Sequence, residues 1–201
     1  MTQDFKLIKS GIDVSKLLEQ VRANDHLFKM VTARQDYPGS NHKDTEAIFL
    51  RWCKTLTVEA AFTEIEAIDY PPLQMLPAAM PLILESIFEA GGSKLGRVMI
   101  VNLKPGGQIT PHYDGGEYAD YYERFHLSLE SEDGNLFFVG TPGEQGEFVH
   151  MKPGELWWFN HKKVHWVNNL SDKPRLHLIM DIVAPLYRRE REKIDCQSVP
   201  V

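Results

Sequence analysis

The chain has little cysteine and no long apolar run. Its two cysteines, Cys53 and Cys196, form no C-x-x-C and stand at no zinc-ligand spacing, which excludes a disulfide scaffold and a thiolate metal site. No stretch approaches the roughly 20 apolar residues of a membrane-spanning helix. The opening "MTQDFKLIKSG" has neither an apolar signal core nor a small-residue cleavage site. Excess positive charge is also lacking. The 22 Lys and Arg stand against 28 Asp and Glu, a net charge of −6, which argues against general electrostatic binding to nucleic acid or anionic lipid. No internal repeat or low-complexity tract is present. The expectation is a reduced, cytoplasmic, globular protein with no nucleic-acid or membrane partner. Its 201 residues suit a single domain; nothing in the sequence sets the oligomeric state.

Residues 1–92 read as a mixed, largely helical segment. "DVSKLLEQVRAND" has a capping Asp13 and apolar residues Val14, Leu17, Leu18 and Val21 at helical spacing. "AAMPLILESIFEAGG" reads as a helix closed by Gly91 and Gly92. Between them "EAIFLRW" reads as a strand. From Gly96 the texture changes to short strand-like runs separated by turns such as "KPGG", "EDG", "KPG" and "SDKP". This predicts a mainly β (α+β) fold: a double-stranded β-helix, or jelly-roll (cupin-like), core over 93–185 with N-terminal helices packed on it. Residues 186–201 read as a charged, solvated tail.

Side chains two apart on a strand share a face. In "RFHLSLE", Phe125, Leu127 and Leu129 share one face and Arg124, His126 and Ser128 the other. In "RLHLIMDIV", Leu176, Leu178, Met180 and Ile182 oppose Arg175, His177, Ile179 and Asp181. "VHWVNN" puts His165, Val167 and Asn169 together. Surface strands favour Thr, Lys, Glu and Ser. Three strands presenting His and Arg instead predict a polar interior that holds a ligand.

"QITPHYDGGEY" puts His112 and Asp114 two apart at a strand end framed by Pro111 and a Gly pair. The tripeptide alone decides nothing, because "HKD" at His42–Asp44 repeats it. Two His and one carboxylate on one side of a metal, with the other positions open, form the facial triad of non-haem Fe(II) oxygenases. His150, His161, His165 and His177 are downstream candidates for the third ligand. His165 is preferred, because Arg175 follows ten residues later beyond "SDKP", a spacing that suits a hairpin. Arg grips a carboxylate by two parallel hydrogen bonds. A metal beside an Arg fits a cosubstrate that chelates at one end and carries a carboxylate at the other, as 2-oxoglutarate does.

The run "LKPGGQITPHYDGG…YYERFHLSLES…GELWWFNHKKVHWVNNLSDKPRLHLIMDIV" resembles the aspartyl/asparaginyl β-hydroxylase family of Fe(II)/2-oxoglutarate-dependent dioxygenases. The resemblance covers about residues 96–185. It implies His112, Asp114 and His165 as iron ligands, and Arg175 as the grip on the distal carboxylate of 2-oxoglutarate. It places Arg124 and His126 near the cosubstrate's other carboxylate. It further implies O2 as the second cosubstrate and hydroxylation of an unactivated C–H, first of an Asp/Asn-type side chain in a peptide or protein. The alternatives are a hydroxylase of a free amino acid or other small metabolite, and a non-catalytic cupin-like metal-binding protein. Asn102, His177 and Asp181 are weaker candidates for residues that orient the ligands. Tyr113 and Tyr118 belong to a tyrosine cluster that could form a rim over the metal, with Glu117–Tyr122 mobile. His42 and Asp44 read as part of a polar loop, with substrate contact as the alternative.

Overall fold

The structure, a computed structural model, describes residues 4–36, 38–141, 143 and 146–197. In chain order the elements are β1 (Phe5–Lys9), α1 (Ser15–Ala23), a 3₁₀ turn (Asp25–Lys29), α2 (Ala33–Asp36), β2 (Thr45–Trp52), α3 (Val58–Thr63), β3 (Ile68–Asp69), α4 (Pro71–Met75), α5 (Ala79–Glu89), β4 (Lys94–Leu103), β5 (Gln108–His112), α6 (Gly116–Tyr121), β6 (Glu123–Glu130), β7 (Asn135–Val139), β8 (Glu147–Val149), β9 (Leu156–Phe159), β10 (His165–Asn169), β11 (Arg175–Val183) and α7 (Pro185–Gln197). Among the described residues no helix is long and apolar enough to cross a membrane.

Two antiparallel sheets form a jelly roll. The larger runs β1-β9-β6-β11-β4-β2-β3 and the smaller β5-β10-β7-β8. Helices cover the outer face of the larger sheet. The N-cap of α1 is Val14, with no side-chain cap bond; the expected cap, Asp13, stands one residue earlier and accepts the Ser15 amide at 3.0 Å and its hydroxyl at 2.6 Å. Leu17 and Val21 of α1, and Leu82 and Ile83 of α5, bury against Ile100 of β4, Leu127 of β6 and Leu178 of β11. Each such side chain contributes about 1.5–3 kcal/mol. Gly91, at φ +59°, closes α5 where a side chain would be strained, and the Gly92 amide returns to the Ile87 carbonyl at 2.9 Å.

The period-two reading of β6 and β11 holds. Phe125, Leu127, Leu129, Leu176, Leu178, Met180 and Ile182 all lie in the helix-side cluster. The opposite faces look into the gap between the sheets, where Phe137 of β7 sits 5.4 Å from the His126 ring.

Four expectations need correction. First, the expected strand at Glu46–Trp52 is β2, but with β1 and β3 it joins the larger sheet, so the 92/93 boundary separates texture in the sequence but not layers in space. Second, β10 and β11 are not a hairpin. β10 pairs with β5 and β7, whereas β11 pairs with β4 and β6. The chain changes sheets at Leu170–Pro174, pinned by the Asn169 amide, which donates to the carbonyls of Lys104 at 3.0 Å and Lys173 at 2.8 Å. Third, residues 185–197 form α7 rather than a solvated tail. Tyr187 packs edge-on to Phe125 at 5.3 Å, and Arg191 pairs at 3.1 Å with buried Glu123. Residues 198–201 lie outside the described residues. Fourth, Asn102 shares the parity of Val98 and Ile100, which belong to the helix-side cluster. Its amide reaches Glu46 at 3.4 Å, away from the interior that holds the histidines.

Candidate metal centre

His112 ends β5 and His165 begins β10, and the two residues are cross-strand partners. Their rings lie 4.4 Å apart. Asp114 follows in the loop before α6, where its amide donates to the His161 carbonyl at 3.0 Å. Loop Asn41–Asp44 laces the ligand strand from outside. Asp44 accepts the Gln108 amide at 3.0 Å, and Thr110 donates its hydroxyl to Asn41 at 2.6 Å.

One ligand atom from each of His112, Asp114 and His165 lies within 4.8 Å of the others. A metal about 2.1 Å from each donor would set the donors roughly 3–4 Å apart, so the triad needs little adjustment. The tautomers are also fixed. His112 Nδ1 faces the Thr110 carbonyl at 2.7 Å and His165 Nδ1 faces the Lys163 carbonyl at 2.9 Å. A carbonyl only accepts, so each Nδ1 carries the proton. Each Nε2 is left as a lone pair. Arg124 donates to Asp114 Oδ2 at 2.6 Å. Asp114 Oδ1, 4.0 Å from His112 Nε2, is left toward the same centre.

Arg124 reaches this carboxylate from β6, and its other donors go to Asp181 at 2.8 and 3.1 Å. Asp181 also accepts the Tyr118 hydroxyl at 3.1 Å. The sequence expects Arg124 at the cosubstrate; in the structure each of its three nitrogens donates to Asp114 or Asp181, which orients the triad's carboxylate. Burial opposes ionisation of Asp114, but Arg124 and the three nearby imidazoles outweigh it and hold the carboxyl well below its usual range. Tyr118 is buried and its oxygen accepts the Arg97 amide at 2.7 Å, so it braces this network. Glu117–Tyr122 is mostly helix α6, with Tyr118 and Tyr122 buried, where the sequence suggested a mobile rim. Tyr113 is 65% exposed and lines the mouth of a cavity.

On the other side of His165 lies a second polar group. Arg175 is buried, and burial pushes its guanidinium down to about 9. It donates to His177 Nδ1 at 3.0 Å, which places the His177 proton on Nε2. His126 Nδ1 stands 3.3 Å from the same His177 nitrogen. His126 Nε2, His177 Nε2 and Ser128 Oγ are buried without a hydrogen-bond partner. No carboxylate pairs with Arg175 among the described residues. A buried cation ringed by orphaned polar atoms is costly alone and fits an anionic guest.

Buried imidazoles also set an acid limit. Burial holds His161 and His165 down to about 4, and His126 and His177 well below their usual value. A histidine whose folded pKa is depressed stabilises the fold fully above its unfolded value of about 6.5 and loses that contribution as pH falls through the folded value. Urea unfolding of the metal-free protein is therefore expected to show stability steady above pH ~6.5 and falling steeply toward pH ~4. A flat profile from 7 to 5 would mean that these rings are solvated.

A cavity of about 320 Å³ opens beside His112 and Asp114, walled by Phe49, Trp52, Val58 and Phe62. Arg34 and His42 line it too, and the His42 ring stands 5.0 Å edge-on to His112. The sequence reads His42 as a loop residue with substrate contact as the alternative, and does not single out Arg34. No spacing ties either to His112, and only the lacing of their loop onto β5 brings them there.

Comparison with known proteins agrees with the fold. L-Proline cis-4-hydroxylase of Rhizobium meliloti (strain 1021) is 30% identical over 121 residues, 60% of this chain and 40% of that protein. The chain thus spans less than half the length of that relative. A non-heme alpha-ketoglutarate-dependent carbocyclase from nogalamycin biosynthesis superposes with a TM-score of 0.58 at 11% identity, over 90% of this chain and 80% of the other. An oxidoreductase of the 2OG-Fe(II) oxygenase family from Burkholderia pseudomallei gives 0.54 at 13% identity, over 86% and 90%. Residues 21–185 match the aspartyl/asparaginyl beta-hydroxylase family, to which this chain belongs.

Proposed function

We propose that the protein is an Fe(II)- and 2-oxoglutarate-dependent dioxygenase that hydroxylates an unactivated C–H of a small amino-acid-like molecule. One observation carries this reading. A metal-ready triad and a buried guanidinium that has no carboxylate partner among the described residues flank the same interior. A mere metal binder has no need of the second.

Iron with 2-oxoglutarate, when bound, supplies the activation of O2 and the oxidation of carbon, with succinate and CO2 as co-products. The chain does the rest. His112, Asp114 and His165 would hold the iron and leave three positions open. Arg175 would take the distal carboxylate of 2-oxoglutarate, with His126 near the other end. Phe137 and Phe159, 4.6 Å apart, wall the gap against water. Arg124 fixes the rotamer of Asp114.

A cavity of about 320 Å³ lies at the small end of ligand sites, which run from about 300 to 1,000 Å³. This supports a small substrate, as does the similarity to a proline hydroxylase. An Asp or Asn side chain in a peptide is the second reading, favoured by the family's description.

Protein, Fe(II), ascorbate and 2-oxoglutarate are incubated with free L-amino acids or peptides, and succinate is followed. Arg175→Ala is expected to raise the KM for 2-oxoglutarate about 10- to 100-fold while metal affinity stays constant. An unchanged KM would remove Arg175 from the cosubstrate. No turnover with any substrate, together with no metal affinity, would defeat the enzyme reading.

A further inference from the structure

We infer that Arg34 is the seat of a substrate carboxylate, so that the enzyme selects small acids by a charge held beside the metal centre. This rests on the dioxygenase reading and deepens it. Three arginines line the cavity: Arg34, Arg97 and Arg124. Two are committed. Arg124 is bound to Asp114 and Asp181. Arg97 donates to the carbonyls of Ala61 at 2.7 Å, Ala60 at 3.1 Å and Glu64 at 3.1 Å, and its guanidinium lies 3.5 Å over the Tyr118 ring. It fastens α3 to β4; its Nε is buried without a partner, but both terminal nitrogens are taken.

Arg34 differs. Its Nη2 is shared between the two ring nitrogens of His42 at 3.2 and 3.3 Å. A neutral ring cannot cancel a full positive charge. Nη1 is buried and has no hydrogen-bond partner. No carboxylate pairs with Arg34 among the described residues, and Asp114, the one acidic residue lining the cavity, already holds Arg124. An unpaired guanidinium donor in a partly apolar cavity is costly until an anion fills it. The fork geometry of Arg matches a carboxylate.

Position supplies the rest. Arg34 touches His42, and His42 packs on the ligand His112. The guanidinium is therefore two side chains from the triad, within the length of one small molecule. Phe49, Trp52 and Phe62 would cover the hydrocarbon between. The triad thus lies between two guanidiniums that lack carboxylate partners, Arg175 on the cosubstrate side and Arg34 on the cavity side. Each suits a different carboxylate.

The test uses the full chain loaded with Zn(II) and a non-decarboxylating 2-oxoglutarate analogue. Free L-amino acids and small monocarboxylates are titrated beside their amides, and binding is read calorimetrically. Acids are expected to bind at least tenfold tighter than amides, and Arg34→Gln is expected to abolish that preference. In turnover, Arg34→Ala should raise substrate KM about 10- to 100-fold and leave the KM for 2-oxoglutarate in place, the reverse of Arg175→Ala. Equal binding of acids and amides, or a preference that survives Arg34→Gln, would overturn the proposal. Turnover of free amino acids without dependence on Arg34 would sink the carboxylate seat and keep the small-substrate reading. Turnover of acidic peptides alone, dependent on Arg34, would do the opposite.

Discussion

His112→Ala is expected to abolish specific metal binding and leave the fold standing. Losing a group that merely orients a ligand costs about 10- to 100-fold in metal affinity, so losing a ligand should exceed about 100-fold. The site cannot recruit a replacement easily. His161 is turned away, with its Nε2 facing the Ala119 carbonyl at 3.0 Å. His42 is near, but it faces Arg34. The strand itself should persist, because β5 is held by its register with β10 and by the Asn41 and Asp44 contacts. Titration with Co(II), followed by its visible spectrum, measures the loss, and circular dichroism checks the fold. An affinity within tenfold of the parent would mean that the triad is not the metal site.

Arg124→Ala should be the most damaging single change to stability. It removes the cation from between Asp114 and Asp181. Asp181 keeps only the Tyr118 hydroxyl, and its side chain is 3% exposed. Breaking a buried pair by deleting one partner costs about 3–5 kcal/mol, which in a chain of this size lowers Tm by roughly 6–20 °C. Arg124→Met combined with Asp181→Leu should recover most of that loss, because an apolar pair leaves less charge uncompensated. Metal affinity should stay low in the double variant, since nothing then fixes Asp114. Recovery of both properties together would mean that Arg124 acts on stability alone.

The sequence exposed the faces of β6 and β11 because a period of two is written directly in "RFHLSLE" and "RLHLIMDIV". The same alternation excludes Asn102, which stands one residue out of phase with Val101 and Leu103 on the interior face. What the period cannot say is which strand lies beside which. "SDKP" is good turn chemistry whether the chain folds back in one sheet or crosses to another, so β10 and β11 read as a hairpin. Arg124 was placed on the correct face, but the face does not tell whether an arginine greets a guest or a neighbouring aspartate. Arg34 was beyond reach for a related reason, and His42 reads first as a loop residue with substrate contact only as the alternative. Both come to His112 through the segment before β2, and loops carry no periodicity.

The lacing of Asn41–Asp44 onto β5 separates two kinds of inheritance in this chain. His112, His165 and Arg175 stand at the ends and on the inner faces of paired strands, where a slip of one residue would turn side chains to the wrong side. Beside Phe49 and Trp52 of β2, the cavity wall beyond His112 comes from the short helices and loops that contain Arg34, Val58 and Phe62. Variation there can reshape the cavity without moving the His112–Asp114–His165 triad. If the proposed dioxygenase activity holds, a mutant library confined to 31–42 and 56–62 is a route to new substrates on that reaction.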